Sequence, residues 1–381
     1  MTKMKVSFLS IMLIILLAAC VDRLYFDLDR PPAYTISVSG FVSDQPGPYR
    51  IEITKAFDIE SKDSIRVPVS VKNLELSDNF GGKELLSEVR NGVYETKPKG
   101  IRGMVGRAYR ITIELTDGRI YESVPDTLLP PGHIDDLFFD FKEEKVNTVT
   151  RYGYDIMVNS SAAEDGNIRV MWKFTGTFKA ITTPEYANPL YTSCNPQPSG
   201  KCNFIPVCSG LVNIGVPAQN FIFERQGPCE CCICWYNLFN PIPVLSDVRF
   251  IGKGKFPQIK VHHLPLDQWI LREKIHVKVE QFSLSSQAYA FWQSVLSQKT
   301  AVNNLFQPVS GRIKSNFIQT RGAHSPIEGI FYASALSSKS AYIKPIDVPN
   351  PNFIPQGISF NDSCLKLFPY ATLTKPSFWE D

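Results

Sequence analysis

The feature that most constrains the fold is an alternation of apolar and polar residues in short runs. The clearest run is Tyr109–Leu115, which is apolar at every second position and is followed by the turn signal Asp117-Gly118. Successive side chains of a β-strand point to opposite faces, so a period of two predicts a strand with one buried face. Similar runs recur along the chain, separated by Gly, Pro, Asn or Asp, and this pattern is typical of antiparallel sheets.

The N-terminal part of the chain shows this pattern most densely. Strand runs at Tyr34–Val42 and Tyr49–Ile53 precede the one at Tyr109–Leu115, and Asn91-Gly92 is a strong hairpin signal. Short strands at this spacing predict an immunoglobulin-like antiparallel sandwich over residues 34–129.

A Pro130-Pro131-Gly132 motif marks the boundary to a second, larger domain. Alternating runs at Tyr152–Val158 and Ile168–Phe174 predict further strands, and Ile313–Gln319 and Ile327–Leu336 are interpreted as its closing strands. The sequence therefore predicts a mostly β protein whose second domain, residues 133–381, is β-rich.

One helix is expected in this second domain. Ala288, Phe291, Trp292 and Val295 recur at helical spacing, and Ser285 is placed to cap the helix. The aromatic stripe is interpreted as core packing, with a ligand-binding role as the alternative.

The first twenty residues have the order of a lipoprotein signal. Lys3 and Lys5 precede an uncharged segment, Val6–Ala19, and small residues lead to Cys20. We expect residues 1–19 to be removed, Cys20 to be acylated, and residues 20–33 to form a lipid-anchored tether. An ordinary secretory signal with a Cys near its end is the alternative.

The charge balance argues against nucleic-acid binding. The chain has 40 Lys and Arg residues against 37 Asp and Glu residues, so it lacks the excess of positive charge that binding to phosphates requires. After residue 20 no uninterrupted apolar stretch is long enough for a membrane helix.

A cysteine-rich insertion, residues 192–235, interrupts the strand pattern. An even number of cysteines besides Cys20 predicts disulfides in an exported protein, and a thiolate site for zinc or copper(I) is the alternative. The disulfide candidates are Cys194, Cys202, Cys208, Cys229, Cys231, Cys232, Cys234 and Cys364.

Sequence motifs of catalysis are absent. The chain has no G-x-S-x-G, H-E-x-x-H or Gly-rich phosphate-binding motif. His262 and His263 are neighbours in a predicted strand, where they would point to opposite faces and could not bind one metal without distortion. We therefore expect no enzyme activity, no cofactor and no metal.

The sequence resembles a Bacteroidetes outer-membrane lipoprotein family, domain-of-unknown-function family 4249. The resemblance is carried by Val38–Tyr49, Gly103–Tyr109, Cys231–Trp235, the helix with Tyr289 and Trp292, and Gly329–Tyr332. It covers nearly the whole mature chain and implies an accessory role beside TonB-dependent outer-membrane receptors. Many surface-exported lipoproteins of that phylum carry an acidic cluster after the lipidated Cys, whereas Val21–Leu24 has a single acid, which leaves the membrane face open.

The expected function is therefore binding, as a lipid-anchored accessory subunit of an outer-membrane uptake system. A secreted-type hydrolase with dispersed catalytic residues and an adhesin-like structural protein are the alternatives. Aromatic residues near the insertion are the candidate contacts, namely Tyr186, Tyr191, Phe204, Trp235 and Tyr236, with packing of the insertion onto the core as the alternative.

The lipobox generates the first prediction. Replacing Cys20 with Ser removes the thiol that accepts the acyl chain, so the protein should lose its lipid and leave the membrane fraction. Mass spectrometry of the mature N-terminus checks this outcome, with Cys364→Ser as a control that keeps the lipidation site. An acylated N-terminus in the Cys20→Ser variant would contradict the prediction.

Overall fold

The computed structural model describes residues 35–56, 67–184, 207–213, 223–240, 242–247, 254–266, 269–302, 313–349 and 362–380. The predicted signal segment, Cys20 and the tether lie outside the described residues. The structure is mostly β with one long helix, which confirms the predicted fold class. None of the helices in the described part of the chain is long and apolar enough to cross a membrane.

Ten strands precede the predicted boundary at residue 130. They are β1 (Thr35–Val42), β2 (Arg50–Ala56), β3 (Val67–Pro68), β4 (Val71–Asp78), β5 (Lys83–Leu85), β6 (Ser87–Arg90), β7 (Val93–Glu95), β8 (Ala108–Leu115), β9 (Ile120–Ser123) and β10 (Asp126–Thr127).

The rest of the chain adds twelve strands and the helix. These are β11 (His133–Val146), β12 (Val149–Ser161), β13 (Val170–Ile181), β14 (Leu211–Asn213), β15 (Phe223–Arg225), β16 (Ile233–Phe239), β17 (Val244–Leu245), β18 (Lys255–Pro265), β19 (Ile275–Ser283), α1 (Ser286–Val302), β20 (Phe317–Arg321), β21 (Ile327–Ala333) and β22 (Leu336–Ile343). Short helical turns lie at Val207–Ser209, Pro345–Asp347 and Cys364–Leu367.

The first sandwich packs two sheets around one apolar core. One sheet has the order β21-β1-β2-β7-β6 with β3 beside β2, and the other has the order β20-β9-β8-β4-β5 with β10 beside β8. Tyr109, Ile111 and Ile113 are fully buried in the core between them, which confirms the strand predicted from the alternation. The turns at Asn91-Gly92 and Asp117-Gly118 join adjacent strands as predicted, and both glycines have a positive φ.

The sheet pairing differs from the predicted division of the chain in one respect. β21 pairs with β1 in parallel, from Ile36 opposite Ile327 to Val42 opposite Ala333, and β20 pairs with β9. Residues 317–333 therefore complete the first sandwich and do not close the second one. Their apolar pattern predicted strands correctly, but the pattern of a strand does not specify its partner.

A second sandwich follows the Pro-Pro-Gly motif. The sheet β11-β12-β18 shares a core with the sheet β16-β13-β19-β22, in which β17 also pairs with β13. Trp172 is fully buried in this core, and its indole N–H donates to Ser160 and Gln281 at 3.2 and 3.3 Å. Gly132 lies where a side chain would collide with Gln281 and the Ser161 carbonyl, so the linker packs closely on this sandwich.

Helix α1 lies where the outer faces of the two sandwiches meet. A third apolar cluster joins Met171 and Phe282 of the second sandwich, Ile330 and Tyr332 of β21, and residues of the helix. The Ser285 hydroxyl accepts the Ala288 N–H at 3.1 Å, which confirms the predicted cap. The aromatic stripe of helix α1 packs against this cluster as predicted, and part of its aromatic surface remains exposed to solvent.

A buried carboxylate fixes the strand that returns to the first sandwich. Asp126 of β10 is buried and accepts the Ala333 backbone N–H at 2.9 Å, and the Ser285 hydroxyl also bonds to it. Burial raises the pKa of Asp126 above its ordinary value. One side chain thus links β10, β21 and the start of α1.

The two adjacent histidines of β18 face opposite sides of their sheet, as the sequence predicts. The His262 ring stacks on Phe174 with 4.4 Å between ring centroids, whereas His263 Nδ1 lies 2.7 Å from Asp155 Oδ1. Burial lowers the pKa of His262 from 6.5 to about 4.

The lowered pKa of His262 predicts that acid destabilises the folded protein. As the pH falls from 6.5 towards 4, the unfolded chain protonates at residue 262 and the folded chain does not, so the free energy of unfolding falls by on the order of 2 kcal/mol. His262→Phe keeps a ring against Phe174 but cannot protonate, so that loss should disappear. Urea unfolding at pH 7 and pH 4.5 checks this, with the exposed His324→Gln as control. An unchanged acid loss in His262→Phe would exclude His262 as its source.

Candidate functional site

A groove at the junction of the two sandwiches has the composition of a ligand site. It encloses about 620 Å³ between β1, β2, β13, β21 and α1. Val38 of β1 points into the core of the first sandwich, so the alternating positions Ser37, Ser39 and Phe41 point outwards into the groove. The groove thus uses strand faces that a single isolated sandwich would expose to solvent.

Lys173 of β13 lies among aromatic rings in the wall of the groove. Its ammonium nitrogen is 4.8 Å from the ring centroid of Phe282, 5.4 Å from that of Trp292 and 5.6 Å from that of Phe41. Trp172 and Phe174, on either side in the chain, are buried in the second core, so the sheet directs Lys173 to its opposite face. The rings stabilise the cation by cation–π attraction.

The charge of Lys173 has no carboxylate partner within ion-pair distance among the described residues. Glu280 is its direct cross-strand neighbour on β19, but the Glu280 carboxylate accepts from Lys278 at 2.6 Å. The ammonium group of Lys173 therefore places a positive charge within the aromatic wall of the groove.

Two further residues of the groove wall carry buried polar atoms. Trp292 Nε1 and Tyr332 Oη are inaccessible to solvent and have no hydrogen-bond partner within the described part of the chain. The Tyr332 ring stacks on Phe41 at 5.4 Å and meets Trp292 edge-on at 6.4 Å. Most buried polar groups in native proteins are paired, so these two atoms are exceptions, and because solvent does not reach them they lie behind the surface of the groove.

Gly329 shapes the same wall. Its φ is +99°, and a side chain at this position would collide with the Val38 carbonyl of the neighbouring strand. The Gly329 carbonyl accepts from the Ser315 hydroxyl at 3.1 Å. Glycine is therefore required here for β21 to lie close to β1 along the groove.

A family model described as "Domain of unknown function (DUF4249)" matches residues 22–340. The chain belongs to this family. The match includes every element that lines the groove, which is consequently part of the DUF4249 domain. No curated protein matches the chain.

A second depression of the DUF4249 domain, about 480 Å³, lies on the outer face of the sheet β11-β12-β18. Asp155 accepts from Lys260 and lies against His263, each at 2.7 Å. Burial by itself would raise the pKa of Asp155, but the hydrogen bonds from Lys260 and His263 hold it below its ordinary value. The described lining has no Ser, Thr or Cys that the His–Asp pair could activate, so this cluster is a charge network without a nucleophile.

The disulfide prediction is confirmed for six cysteines. The pairs are Cys208–Cys231, Cys229–Cys232 and Cys234–Cys364, with Cα separations of 5.5, 5.6 and 5.9 Å. Cys194 and Cys202 lie outside the described residues. Among the residues that are described, no group of three or more His, Cys, Asp or Glu side chains could hold a metal ion.

The Cys234–Cys364 bond holds a C-terminal segment that follows the family match. Phe368 of this segment packs against Phe178, Tyr236 and Trp269, with ring centroids 4.8 to 5.7 Å apart. Trp235 and Thr372 exchange two backbone hydrogen bonds, at 2.8 and 3.0 Å. The segment thereby covers part of the edge of β16.

Two of the aromatic contact candidates can be located. Trp235 is buried, and Tyr236 packs between the second core and Phe368, so both contribute to packing. Tyr186, Tyr191 and Phe204 lie outside the described residues. The groove residues Lys173 and Phe41 were not found from the sequence, where the one signal was a Lys within the apolar run Val170–Phe174.

The disulfides generate a stability prediction. Replacing Cys234 and Cys364 together with Ala should lower the free energy of unfolding by about 2–4 kcal/mol, because this bond links residues 130 apart. The matched control replaces Cys229 and Cys232 with Ala and opens a bond between residues 3 apart, so it should cost less than half as much. Urea unfolding under oxidising conditions measures both. Equal losses would show that loop closure does not determine the difference.

Proposed function

We propose that this DUF4249 protein is an outer-membrane lipoprotein that binds a ligand in the junction groove and serves as an accessory subunit of a TonB-dependent receptor. The observation that carries the proposal is the groove itself, where Lys173 has aromatic neighbours and no paired carboxylate among the described residues. Ligand sites are commonly preformed, concave and largely apolar, with a few polar groups that fix orientation.

The N-terminal sequence supports the location. The lipobox ending at Cys20 would anchor the chain to a membrane through acyl chains, and residues 20–33 would then join the anchor to β1. An anchored protein with a binding groove would hold its ligand next to an uptake receptor in the same membrane. The family resemblance seen in the sequence implies the same setting.

The site chemistry favours binding over catalysis. The groove residues are aromatic, aliphatic, small or charged, and the described lining offers no nucleophile paired with a general base. The Asp155–His263 pair is the arrangement closest to catalytic machinery, and the described lining of its depression lacks a Ser, Thr or Cys. A hydrolase that works through a covalent Ser, Thr or Cys intermediate would need such a group within hydrogen-bond reach of the histidine.

The accessory role is tested by copurification. Gentle detergent extraction of cells that express an affinity-tagged chain should recover a TonB-dependent receptor together with it, because an accessory subunit contacts its receptor in the membrane. A tagged lipoprotein of unrelated sequence, expressed at the same level, serves as the control. Repeated recovery of the chain alone, or equal recovery of the receptor with the control lipoprotein, would remove the accessory role.

A further inference from the structure

We infer that the junction groove binds a small ligand made of a flat apolar body and an anionic headgroup, a carboxylate or a phosphate, which pairs with Lys173. This inference rests on the proposed binding function and adds the chemical class of the ligand.

The cation at the aromatic end of the groove calls for an acceptor. The Lys173 ammonium can only donate hydrogen bonds, and it makes no ion pair with a carboxylate of the described residues. Trp292 Nε1 and Tyr332 Oη are closed off from solvent, so Lys173 is the donor that a ligand in the groove meets beside these rings. An anionic headgroup supplies several acceptor oxygens at once, whereas a cationic ligand would be repelled by Lys173.

The surrounding charges keep Lys173 available. Arg50, in the β2 wall of the groove, is paired with Glu95 at 2.7 Å, and Glu280 is paired with Lys278. Glu52 is the sole carboxylate in the described lining, and it makes no ion pair with Lys173. The charge that a ligand meets next to the aromatic rings is therefore positive.

The walls next to Lys173 suit a planar body. The buried Tyr332 ring stacks on Phe41 and meets Trp292 edge-on, so the partly exposed rings of Phe41 and Trp292 line the groove from two elements, β1 and α1. A volume of about 620 Å³ falls within the range of small-molecule sites, roughly 300–1,000 Å³. Ring faces bind flat apolar surfaces, which sets the shape of the body.

The fold fixes two walls of the groove. The third apolar cluster includes Phe282, Ile330 and Tyr332, and Gly329 sets the approach of β21 to β1.

The test is calorimetric titration of the purified full-length lipoprotein in a non-ionic detergent, without any receptor. Three probes share one flat ring system: 1-naphthoate, 1-naphthyl phosphate and the neutral 1-naphthamide. We expect one of the two anions to bind at least ~10-fold more tightly than the amide, since hydrogen bonds to charged groups contribute about 1.5–3 kcal/mol. The better anion identifies the headgroup. Detergent without protein gives the heat of partition into micelles.

Lys173→Met removes the charge and keeps the apolar stem, so it should weaken the better anion at least ~10-fold and leave the amide within about twofold. The matched control is Lys274→Met, because the Lys274 ammonium also lies over two rings, Tyr342 at 4.8 Å and Trp379 at 5.5 Å, outside the groove.

Three outcomes would overturn the inference. They are no binding of either anion by the wild-type protein up to about 5 mM, an amide that binds as tightly as the anions, and equal losses in Lys173→Met and Lys274→Met. The titration contains no receptor, so the ligand class and the accessory role can fail separately. If neither anion binds but the receptor still copurifies with the chain, only the proposed ligand class is wrong. If an anion binds but the receptor does not copurify, the accessory role is wrong and the ligand site stands.

Discussion

The architecture depends on the parallel pairing of β1 with β21. This contact joins residues 36–42 to residues 327–333, so the chain passes through every strand of the second sandwich except β22 before it completes the first one. The Asp126 carboxylate fixes the returning strand at Ala333, and Asn316 both donates to and accepts from the backbone of Phe331. These side chains satisfy backbone groups that an unprotected sheet edge would offer to another chain. The two sandwiches are therefore interlocked by the course of the chain.

The groove is a consequence of that interlocking. In an isolated sandwich the outward positions of β1 and β13 would face water, and neither Phe41 nor Lys173 would have an aromatic neighbour from the other sheet. Because the chain between β19 and β20 must cross the junction, helix α1 lies there and contributes Trp292. A site assembled from three distant segments keeps its geometry only as long as the strand pairing that joins them persists.

The sequence predicted those features that depend on neighbouring residues. Alternation identified the buried face of β8, Asn91-Gly92 and Asp117-Gly118 identified two turns, and Ser285 identified the start of the helix. Strand partnership could not be predicted, because a strand of period two fits any apolar sheet face and the partner of β1 lies nearly three hundred residues away. The groove could not be predicted for the same reason, because the aromatic neighbours of Lys173 lie on β1, β19 and α1.

The position of β21 late in the chain also has a consequence for folding. A chain that emerges from its N-terminus exposes β1, with one edge unpaired, until almost nine-tenths of its length has appeared. Contacts of such long sequence separation form slowly, because a large loop must close before they contribute any free energy. During this time the outer face of β1, with Phe41, and the edge of β1 are open to unwanted association. Folding of this chain therefore favours a chaperone that protects the N-terminal strands until residue 333 has been synthesised.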